Sequence, residues 1–376
     1  MQVEKKIGLF GVPFDPTVSN EEFLIKLSYL QAKMAGKIIH PDYLDPYDYL
    51  TKDLPPSLLG KIFLAGKVQI PTWLQPKPTI ADLSKVNLSS FSNFVESGGC
   101  IKVAEKVYNF IVDKVFPRIP GMIGVDHSST YGAVVSIKRK CPKEKLALIV
   151  LDSHFDAVPA KIRKGLFEYA KRAKIPFITY GQSLQESFNS TLLQNLGGDQ
   201  LDAENFLLYI LNRKIVDAEN LLVIGISDYP SEFLEKIDDP AVKEYVNFFR
   251  ILEWAGVKFV PKSSLNRNGN SKRLIEEALK GLTAKKVYVS MDIDLGALSC
   301  VYAARFLNVR GLSREQIYDI FQSLSCHFPG ELTLCGFDLM EIDVHKLGAE
   351  IDGLHKDQTW DICRMFLNFI GKISAS

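Results

Sequence analysis

Short apolar runs alternate with helix-forming segments along most of this chain, and this alternation constrains the fold more than any other feature. Such alternation is typical of a parallel sheet with helices on both faces. It predicts a three-layer α/β/α fold with a mostly parallel sheet of about eight strands. The predicted strands are residues 7–12, 119–125, 146–151, 176–180, 220–226, 257–260, 287–291 and 332–337.

Helix starts and amphipathic stripes place four helices in this pattern. Ser19 opens a polar segment typical of a helix N-terminus. Ser313 and Gln316 have the spacing of a capping box, which predicts a helix reaching about Ser325. Residues 101–116 and 360–373 carry apolar stripes at helical spacing and are predicted to be amphipathic helices.

The chain is predicted to form a single domain over residues 1–376. Residues from about 41 to 97 begin with a weakly periodic stretch rich in proline, tyrosine and aspartate. Its many aromatic residues argue against a disordered linker, so we expect an irregular N-terminal elaboration. Residues 182–204 are polar and lack a clear period, and they are predicted to form a long loop.

Composition excludes several classes of partner and location. The formal net charge is +1, which gives no electrostatic reason to expect nucleic acid or an acidic surface. The six cysteines form no CxxC pair and are expected to be thiols in a reducing compartment. No signal-peptide pattern opens the chain, and no apolar run reaches the roughly 18 residues of a membrane span. We therefore expect a cytoplasmic protein with no membrane partner.

Three side chains that can bind metal follow the apolar run 146–151. They are Asp152, His154 and Asp156, at alternate positions. On an extended backbone, residues two apart point the same way, so these three are predicted to converge on one point. Carboxylate oxygen and imidazole nitrogen are suitable ligands for a hard or borderline divalent cation.

Other acids and a histidine also follow predicted strands. They are His127, Asp292, Asp294 and Glu341. In open α/β sheets the ligand site lies beyond the carboxyl ends of the strands. One Asp-x-Asp could arise by chance in a chain with this many acids, but chance would less easily place every cluster at a strand end. The pattern predicts a metal site at that edge of the sheet.

The same segments resemble the ureohydrolase family, which includes arginase, agmatinase and formiminoglutamase. That family carries Gly-Gly-Asp-His-Ser, Asp-Ala-His-x-Asp and Ser-x-Asp-x-Asp in this order. The segments that resemble these motifs are Gly124-Val125-Asp126-His127-Ser128, Asp152-Ser153-His154-Phe155-Asp156 and Ser290-Met291-Asp292-Ile293-Asp294. Residues 7–14 resemble the family's first strand, residues 311–315 its late helix start, and Asp338-Leu339-Met340-Glu341 its substrate-binding Asp-x-x-Glu.

The resemblance implies an arginase-like fold and a binuclear centre, usually with two manganese ions. Family members commonly form trimers or hexamers, so a homo-oligomer is also expected. In the implied ligand set, one ion takes His127, Asp152, Asp156 and Asp292, and the other takes Asp152, His154, Asp292 and Asp294.

The implied activity is hydrolysis of a C–N bond in a small guanidino or amidino compound. Two such cations lower the pKa of a bridging water, and the resulting hydroxide would attack the planar carbon of the substrate. Asp156 is the implied catalytic residue that accepts a hydrogen bond from this hydroxide. Glu341 is implied to pair with the cationic substrate and to support catalysis, because a carboxylate fits a planar N–H fork.

The chain departs from the family pattern in several places. Val125 replaces a glycine, and residues 295–298 differ from the usual Gly-Leu-Asp-Pro. The family's proton-shuttling loop histidine has no counterpart, because residues 156–325 contain no histidine. Tyr180 or a water would have to replace it. Pro230 lies where arginases carry an aspartate that holds the substrate's α-amino group, so arginine is a poor candidate substrate.

Other interpretations remain open on the sequence alone. The chain could be a ureohydrolase-like protein that keeps the metals without turnover and serves as a binding or regulatory subunit. An amide deacetylase of the same fold is a weaker alternative, because the paired His-His of those enzymes is absent. Glu341 could be an ordinary surface glutamate, and His345 and His355 could be solvated or hydrogen-bonded side chains without a catalytic role.

Overall fold

The centre of the molecule is one eight-stranded sheet in which every pair of neighbouring strands is parallel. A computed structural model describes residues 6–17, 19–37, 43–54, 58, 60–174, 200–265, 271–307, 309–328, 330–348, 350–351 and 355–374. The strands are β1 (Ile7–Val12), β2 (Ile62–Lys67), β3 (Ile119–Gly124), β4 (Leu146–Leu151), β5 (Leu221–Ile224), β6 (Lys258–Val260), β7 (Lys286–Asp292) and β8 (Thr333–Met340). This sheet confirms the predicted α/β fold.

Helices connect the strands and cover the sheet. Among the described residues they are α1 (Asn20–Met34), α2 (Pro46–Lys52), α3 (Leu88–Glu96), α4 (Gly99–Phe110), α5 (Ser129–Lys140), α6 (Ala160–Arg172), α7 (Phe206–Asn212), α8 (Pro240–Trp254), α9 (Lys262–Leu265), α10 (Ser271–Lys280), α11 (Arg314–Ser325) and α12 (Thr359–Ile373). A short antiparallel pair, β9 (Glu350–Ile351) with β10 (His355–Lys356), precedes α12. No helix in the described ranges has the length and apolar character needed to cross a membrane.

The helix starts confirm the predictions made from capping patterns. The Ser19 hydroxyl accepts the backbone N–H of Glu22, and the Glu22 carboxylate accepts the backbone N–H of Ser19, which forms a complete capping box at α1. Ser313 and Gln316 make the same reciprocal bonds at α11. The helix predicted over 101–116 begins at Gly99 and ends in a π-helical turn, Ile111–Val115.

The set of strands differs from the prediction by one member. β2 lies within the segment predicted to be irregular, where it pairs with β1 at the edge of the sheet. The strand begins with the short apolar run Ile62-Phe63-Leu64-Ala65, which was not predicted as a strand, and only Ile62 of it is buried. The predicted strand 176–180 and most of the predicted loop 182–204 lie outside the described residues.

Two apolar layers fill the space between the sheet and its helices. Along β4, Ile149 and Leu151 face one layer, while Leu148 and Val150 face the other. The first layer also contains residues of α10, α11 and α12, and the second contains residues of α4, α5 and α8. Every residue of β4 is buried, which explains its uninterrupted apolar sequence, since a parallel strand with helices on both faces has no solvent side.

The strand order is β2-β1-β3-β8-β7-β4-β5-β6. It places β3, β8, β7 and β4 next to one another, although they are far apart in the chain. All four run in the same direction, so their carboxyl ends meet at one edge. The residues that follow these four strands are therefore brought together by the topology of the sheet.

Helices α4 and α5 approach closely at Gly132. A Cβ atom added to Gly132 would lie 2.1 Å from the backbone carbonyl oxygen of Ala104. A backbone atom cannot move aside as the end of a flexible side chain can. This contact fixes α5, which begins just after the segment containing His127, against its neighbouring helix.

We predict that Gly132→Ala destabilises the protein by about 1–3 kcal/mol, because the clash with Ala104 outweighs the higher helix propensity of alanine. Gly60→Ala is the matched control, because an added Cβ at Gly60 meets no atom within 4 Å, and we expect a change within about 0.5 kcal/mol. Chemical denaturation of both variants measures the difference. Equal stability of the two would contradict the close contact between α4 and α5.

Candidate metal centre

Residues from the four central strands form one cluster at the carboxyl edge of the sheet. His127 follows β3, Asp152 follows β4, Asp292 ends β7, and Glu341 follows β8. Each side chain is almost completely buried. The structure thus brings together segments that the sequence pattern placed at separate strand ends.

The metal-capable residues form two groups that share Asp152. In each group the atoms that could bind an ion lie within 4.8 Å of one another. The first group is His127, Asp152, Asp156 and Asp292, and the second is Asp152, His154 and Asp294. The first group matches the set that the family resemblance implies for one ion. The second lacks Asp292, which the resemblance also assigns to the other ion.

The local backbone of these segments differs from the prediction. β4 ends at Leu151, and the chain then bends through Ser153 and His154. The backbone N–H of His154 donates to Asp152 Oδ1 at 2.7 Å. Expecting an extended backbone after Leu151 was therefore wrong. The side chains converge because the chain turns around the Asp152 carboxylate.

Asp292 turns its own segment in a similar way. Its Oδ1 accepts the backbone N–H of Asp294 at 2.8 Å, at the start of a 3₁₀ turn, Ile293–Gly296. The Asp294 carboxylate in turn accepts the backbone N–H of Ser153 at 3.1 Å, and the Ser153 hydroxyl donates to the Asp294 carbonyl at 2.7 Å. These bonds join the loop after β7 to the loop after β4.

A buried hydrogen-bond chain sets the orientation of the His127 ring. The Ser290 hydroxyl lies 2.6 Å from Asp338 Oδ1 and donates its single proton there. Ser290 Oγ also lies 2.8 Å from His127 Nε2, so this ring nitrogen must be the donor. In the neutral ring, Nδ1 then carries the lone pair. A hydrogen-bond acceptor on the other ring nitrogen, which fixes the tautomer in this way, is typical of metal-binding histidines.

The lone pair of His127 faces carboxylate oxygens. Nδ1 lies 3.1 Å from Asp292 Oδ2, 3.6 Å from Asp156 Oδ2 and 3.7 Å from Asp152 Oδ2. A lone pair surrounded by carboxylate oxygens is unfavourable unless a cation lies between them. The Phe206 ring stacks on the imidazole with ring centroids 4.3 Å apart and covers its apolar face.

Burial and mutual repulsion perturb the acids of both groups. Burial, followed by neighbouring carboxylates, raises the pKa of Asp152 and of Asp292 well above the ordinary value. Burial would also raise the pKa of Asp294, but the imidazole of His154, 2.7 Å away, holds it below the ordinary value. Burial alone would lower the pKa of His154, and the attraction of Asp294 instead raises it well above its usual range.

These residues fit divalent cations. Asp152 Oδ2 is buried and accepts no hydrogen bond. This oxygen, the other carboxylates of the two groups and the imidazole nitrogens form a ligand set of oxygen and nitrogen atoms that suits hard or borderline ions.

Glu341 lies beneath this cluster, not on the surface. It has a φ of 64°, a conformation uncommon outside glycine. One carboxylate oxygen accepts the backbone N–H of His127 at 2.8 Å, and the other lies 3.3 Å from Nη1 of Arg305. The alternative of a surface glutamate was wrong, because Glu341 is only 1% exposed.

Arg305 is the residue of this region that sequence reasoning missed. It follows the apolar stretch Val301-Tyr302-Ala303-Ala304 in the segment after β7, and its side chain is buried. Its acidic partners lie in distant segments of the chain, so no local sequence pattern marked Arg305 as a buried cation. Its guanidinium also pairs with Glu22 and Asp126.

Asp228 was also missed as a neighbour of the cluster. Its Oδ2 accepts the backbone N–H of Phe155 at 3.0 Å, while Oδ1 is buried and accepts no hydrogen bond. Burial raises the pKa of this carboxyl group. The family resemblance in this segment pointed to Pro230 and not to Asp228.

His345, a further candidate residue, does not join the cluster. His345 Nε2 lies 2.9 Å from the Pro76 carbonyl oxygen, and its ring packs edge-on against Tyr29. This position agrees with a hydrogen-bonded side chain rather than a ligand. Tyr180 and the side chain of His355 lie outside the described part of the structure.

Comparison with known proteins agrees with this geometry. The family model described as "Arginase family" matches residues 61–346. None of the curated proteins compared with the chain matches it in sequence. The fold is similar to that of several solved structures. Their sequence identities to this chain are low, so the similarity concerns the fold alone.

Three of these structures illustrate the similarity. Proclavaminate amidino hydrolase from Streptomyces clavuligerus is 16% identical, with a TM-score of 0.53, covering 98% of this chain and 90% of its own. Trypanosoma cruzi formiminoglutamase with Mn²⁺ is 13% identical, with a TM-score of 0.53, covering 98% and 94%. Bacillus subtilis arginase is 16% identical, with a TM-score of 0.50, covering 99% of both chains.

We predict that Asp292→Ala reduces bound metal, because it removes a carboxylate that lies 3.1 Å from His127 Nδ1. Metal content per chain after equilibration with Mn²⁺ and dialysis measures this loss. Asp113→Ala is the control, because Asp113 is exposed and outside both groups. Equal metal content in the Asp292→Ala and Asp113→Ala variants would rule out Asp292 as a ligand.

Metal affinity should increase with pH. The pKa values of Asp152 and Asp292 are raised in the metal-free fold, so metal binding has to displace protons. Folded-state pKa values above the unfolded ones mean that protonation stabilises the metal-free fold at low pH. That contribution is lost as the pH rises through the raised values.

The Tm of the metal-free protein should therefore fall as the pH rises from the ordinary carboxyl range, near about 4, towards neutrality. The increase in Tm on adding Mn²⁺ should grow over the same range. Thermal denaturation with and without Mn²⁺ at several pH values tests both trends. A metal-induced shift independent of pH would show that these carboxyl groups bind no metal.

Proposed function

Because the chain belongs to the arginase family, we propose that it is a metal-dependent hydrolase that cleaves a non-peptide C–N bond of a guanidino or amidino compound. The observation that supports this most strongly is the pair of ligand groups that share Asp152. A carboxylate shared between two ligand groups is well placed to bind two neighbouring metal ions.

We further propose that the centre holds two Mn²⁺ ions. The ligands are carboxylate oxygens and imidazole nitrogens, which suit manganese as well as other borderline ions. Manganese is named in the structure of the T. cruzi formiminoglutamase, which has a similar fold. When bound, two such ions lower the pKa of a water between them and so provide a nucleophile near neutral pH.

The residues around the centre would then position the reactants. Asp156 and His154 are the most exposed members of their groups, with 14% and 22% of their side chains accessible, whereas Asp152 and His127 are inaccessible. The substrate therefore approaches from the side of Asp156 and His154. On that side the Asp156 carboxylate can accept a hydrogen bond from the attacking water and direct it towards the substrate carbon.

Glu341 is proposed to act beneath the centre. It orients His127 through the backbone N–H. The role implied by the family resemblance is to pair with a cationic substrate, as a planar N–H fork and a carboxylate fit well. In this chain a guanidinium from Arg305 already lies against that carboxylate.

The pairing of Glu341 with Arg305 favours a second candidate function. A protein that binds metal but hydrolyses no guanidino compound would not need the Glu341 carboxylate to be available to a substrate. The missing histidine between residues 155 and 326 agrees with this alternative. A cytoplasmic location, a single domain over residues 1–376, and a trimer or hexamer stay predictions from the sequence and the family.

The Mn²⁺-loaded protein should release urea or ammonia from at least one member of a panel of guanidino and amidino compounds. We expect Asp156→Asn to reduce the rate by about 100-fold or more while retaining part of the metal, because it removes the carboxylate that directs the nucleophile. Product release is measured by a coupled ammonia or urea assay. Two bound metal ions without release from any compound would support the second candidate function instead.

A further inference from the structure

A guanidinium that belongs to the chain itself lies directly beside the candidate metal centre. Nη1 of Arg305 is 2.9 Å from Asp126 Oδ2 and 3.3 Å from Glu341 Oε2. Asp126 is adjacent in sequence to His127, and Glu341 accepts the His127 backbone N–H. Both acids that Nη1 of Arg305 contacts are therefore direct neighbours of His127, a member of the first ligand group.

The chain holds Arg305 in this position from several directions. Its backbone N–H donates to the Glu341 carbonyl oxygen at 3.0 Å. Its Nε donates to Glu22 Oε1 at 2.6 Å, and Nη2 lies 3.7 Å from Asp15 Oδ1. Only 3% of its side chain is exposed. Four acids from four segments of the chain contact this guanidinium, so the fold fixes its position.

Arg305 leaves Glu341 poorly suited to a second guanidinium. One oxygen of Glu341 accepts the His127 N–H. The other accepts no hydrogen bond but lies at ion-pair distance, 3.3 Å, from Nη1 of Arg305. A bidentate pair with a substrate would need both oxygens. A second cation would also lie close to the positive charge of Arg305 in a buried region, where like charges repel strongly.

We infer that Arg305 is a specificity-determining residue that fills the guanidinium position beside Glu341. This inference rests on the proposed function and narrows it. A substrate of this chain is not anchored by a fork with Glu341. It is anchored through its other end, on the open side of Asp156 and His154. A free guanidinium group binds beside Glu341 only when Arg305 is removed.

The test uses the full-length Mn²⁺-loaded protein and methylguanidinium as the probe, with methylurea as its uncharged analogue. Arg305→Ala removes the guanidinium and leaves its volume open, whereas Arg305→Lys keeps a positive charge. Isothermal titration and the ligand-induced change in Tm measure binding. We expect Arg305→Ala to bind methylguanidinium about tenfold more tightly than the wild type or more, as for a hydrogen bond to a charged group. Arg305→Lys should behave like the wild type, and methylurea should not discriminate.

Two further variants keep the test decisive. Arg305→Ala leaves several acids without their cation, so Arg305→Ala/Glu22→Gln replaces it if the single variant does not fold. Arg305→Ala/Glu341→Gln should lose the gained affinity. The inference is overturned if the wild type binds methylguanidinium as tightly as Arg305→Ala and Glu341→Gln alone abolishes that binding.

Hydrolysis assays on the same samples separate this inference from the proposed function. If Arg305→Ala gains methylguanidinium binding while the wild type hydrolyses no compound, the role of Arg305 is supported and the hydrolase function is excluded. If the wild type hydrolyses a compound and also binds methylguanidinium in a way that depends on Glu341, the hydrolase function is supported and the role of Arg305 is excluded.

Discussion

Four aspartate carboxyl groups and two imidazoles share one buried space at the carboxyl edge of the sheet. Carboxylates removed from water repel one another, and each also loses its hydration. The surrounding structure reduces this cost only in part. Asp152 and Asp292 accept backbone N–H groups from the turns that follow them. Asp152 Oδ2 accepts no hydrogen bond, so the cluster needs protons or cations to balance its charge.

A second set of buried charges beside the first is balanced differently. Asp15, Glu22, Asp126 and Glu341 surround Arg305, and Lys26 adds a second ion pair to Asp15 at 3.0 Å. Covalently attached cations therefore compensate this outer set. Among the described residues, no lysine or arginine forms an ion pair with the acids of the two ligand groups. This contrast is expected if the two ligand groups bind metal ions and the outer acids do not.

Much of this arrangement could be predicted from the sequence, for identifiable reasons. The strands that carry the ligands are buried on both faces, so their apolar runs are unmistakable, as in β4. The ligands follow those runs directly, and the parallel sheet brings strand ends together. The edge strand β2 was missed although it contains the apolar run Ile62–Ala65, because that run is only four residues long and lies in a segment whose composition indicated irregular structure.

Arg305 could not be placed in the same way. Its partners lie in distant segments, from Asp15 after β1 to Glu341 after β8, and no local pattern relates them. The bends after β4 and β7 were missed although the interactions that produce them are local. They depend on hydrogen bonds from neighbouring N–H groups to Asp152 and Asp292, which alternate spacing alone cannot distinguish from an extended chain.

The position of β8 has a consequence for the newly synthesised chain. β8 is the last strand of the large sheet to be made, yet it lies between β3 and β7. Until it inserts, the sheet exists as two separate parts, β2-β1-β3 and β7-β4-β5-β6. His127 belongs to the first part, and the acids that surround it belong to the second. In a nascent chain still lacking residues 333–340, β8 cannot join the two parts, so the ligand set is completed only after those residues have been synthesised.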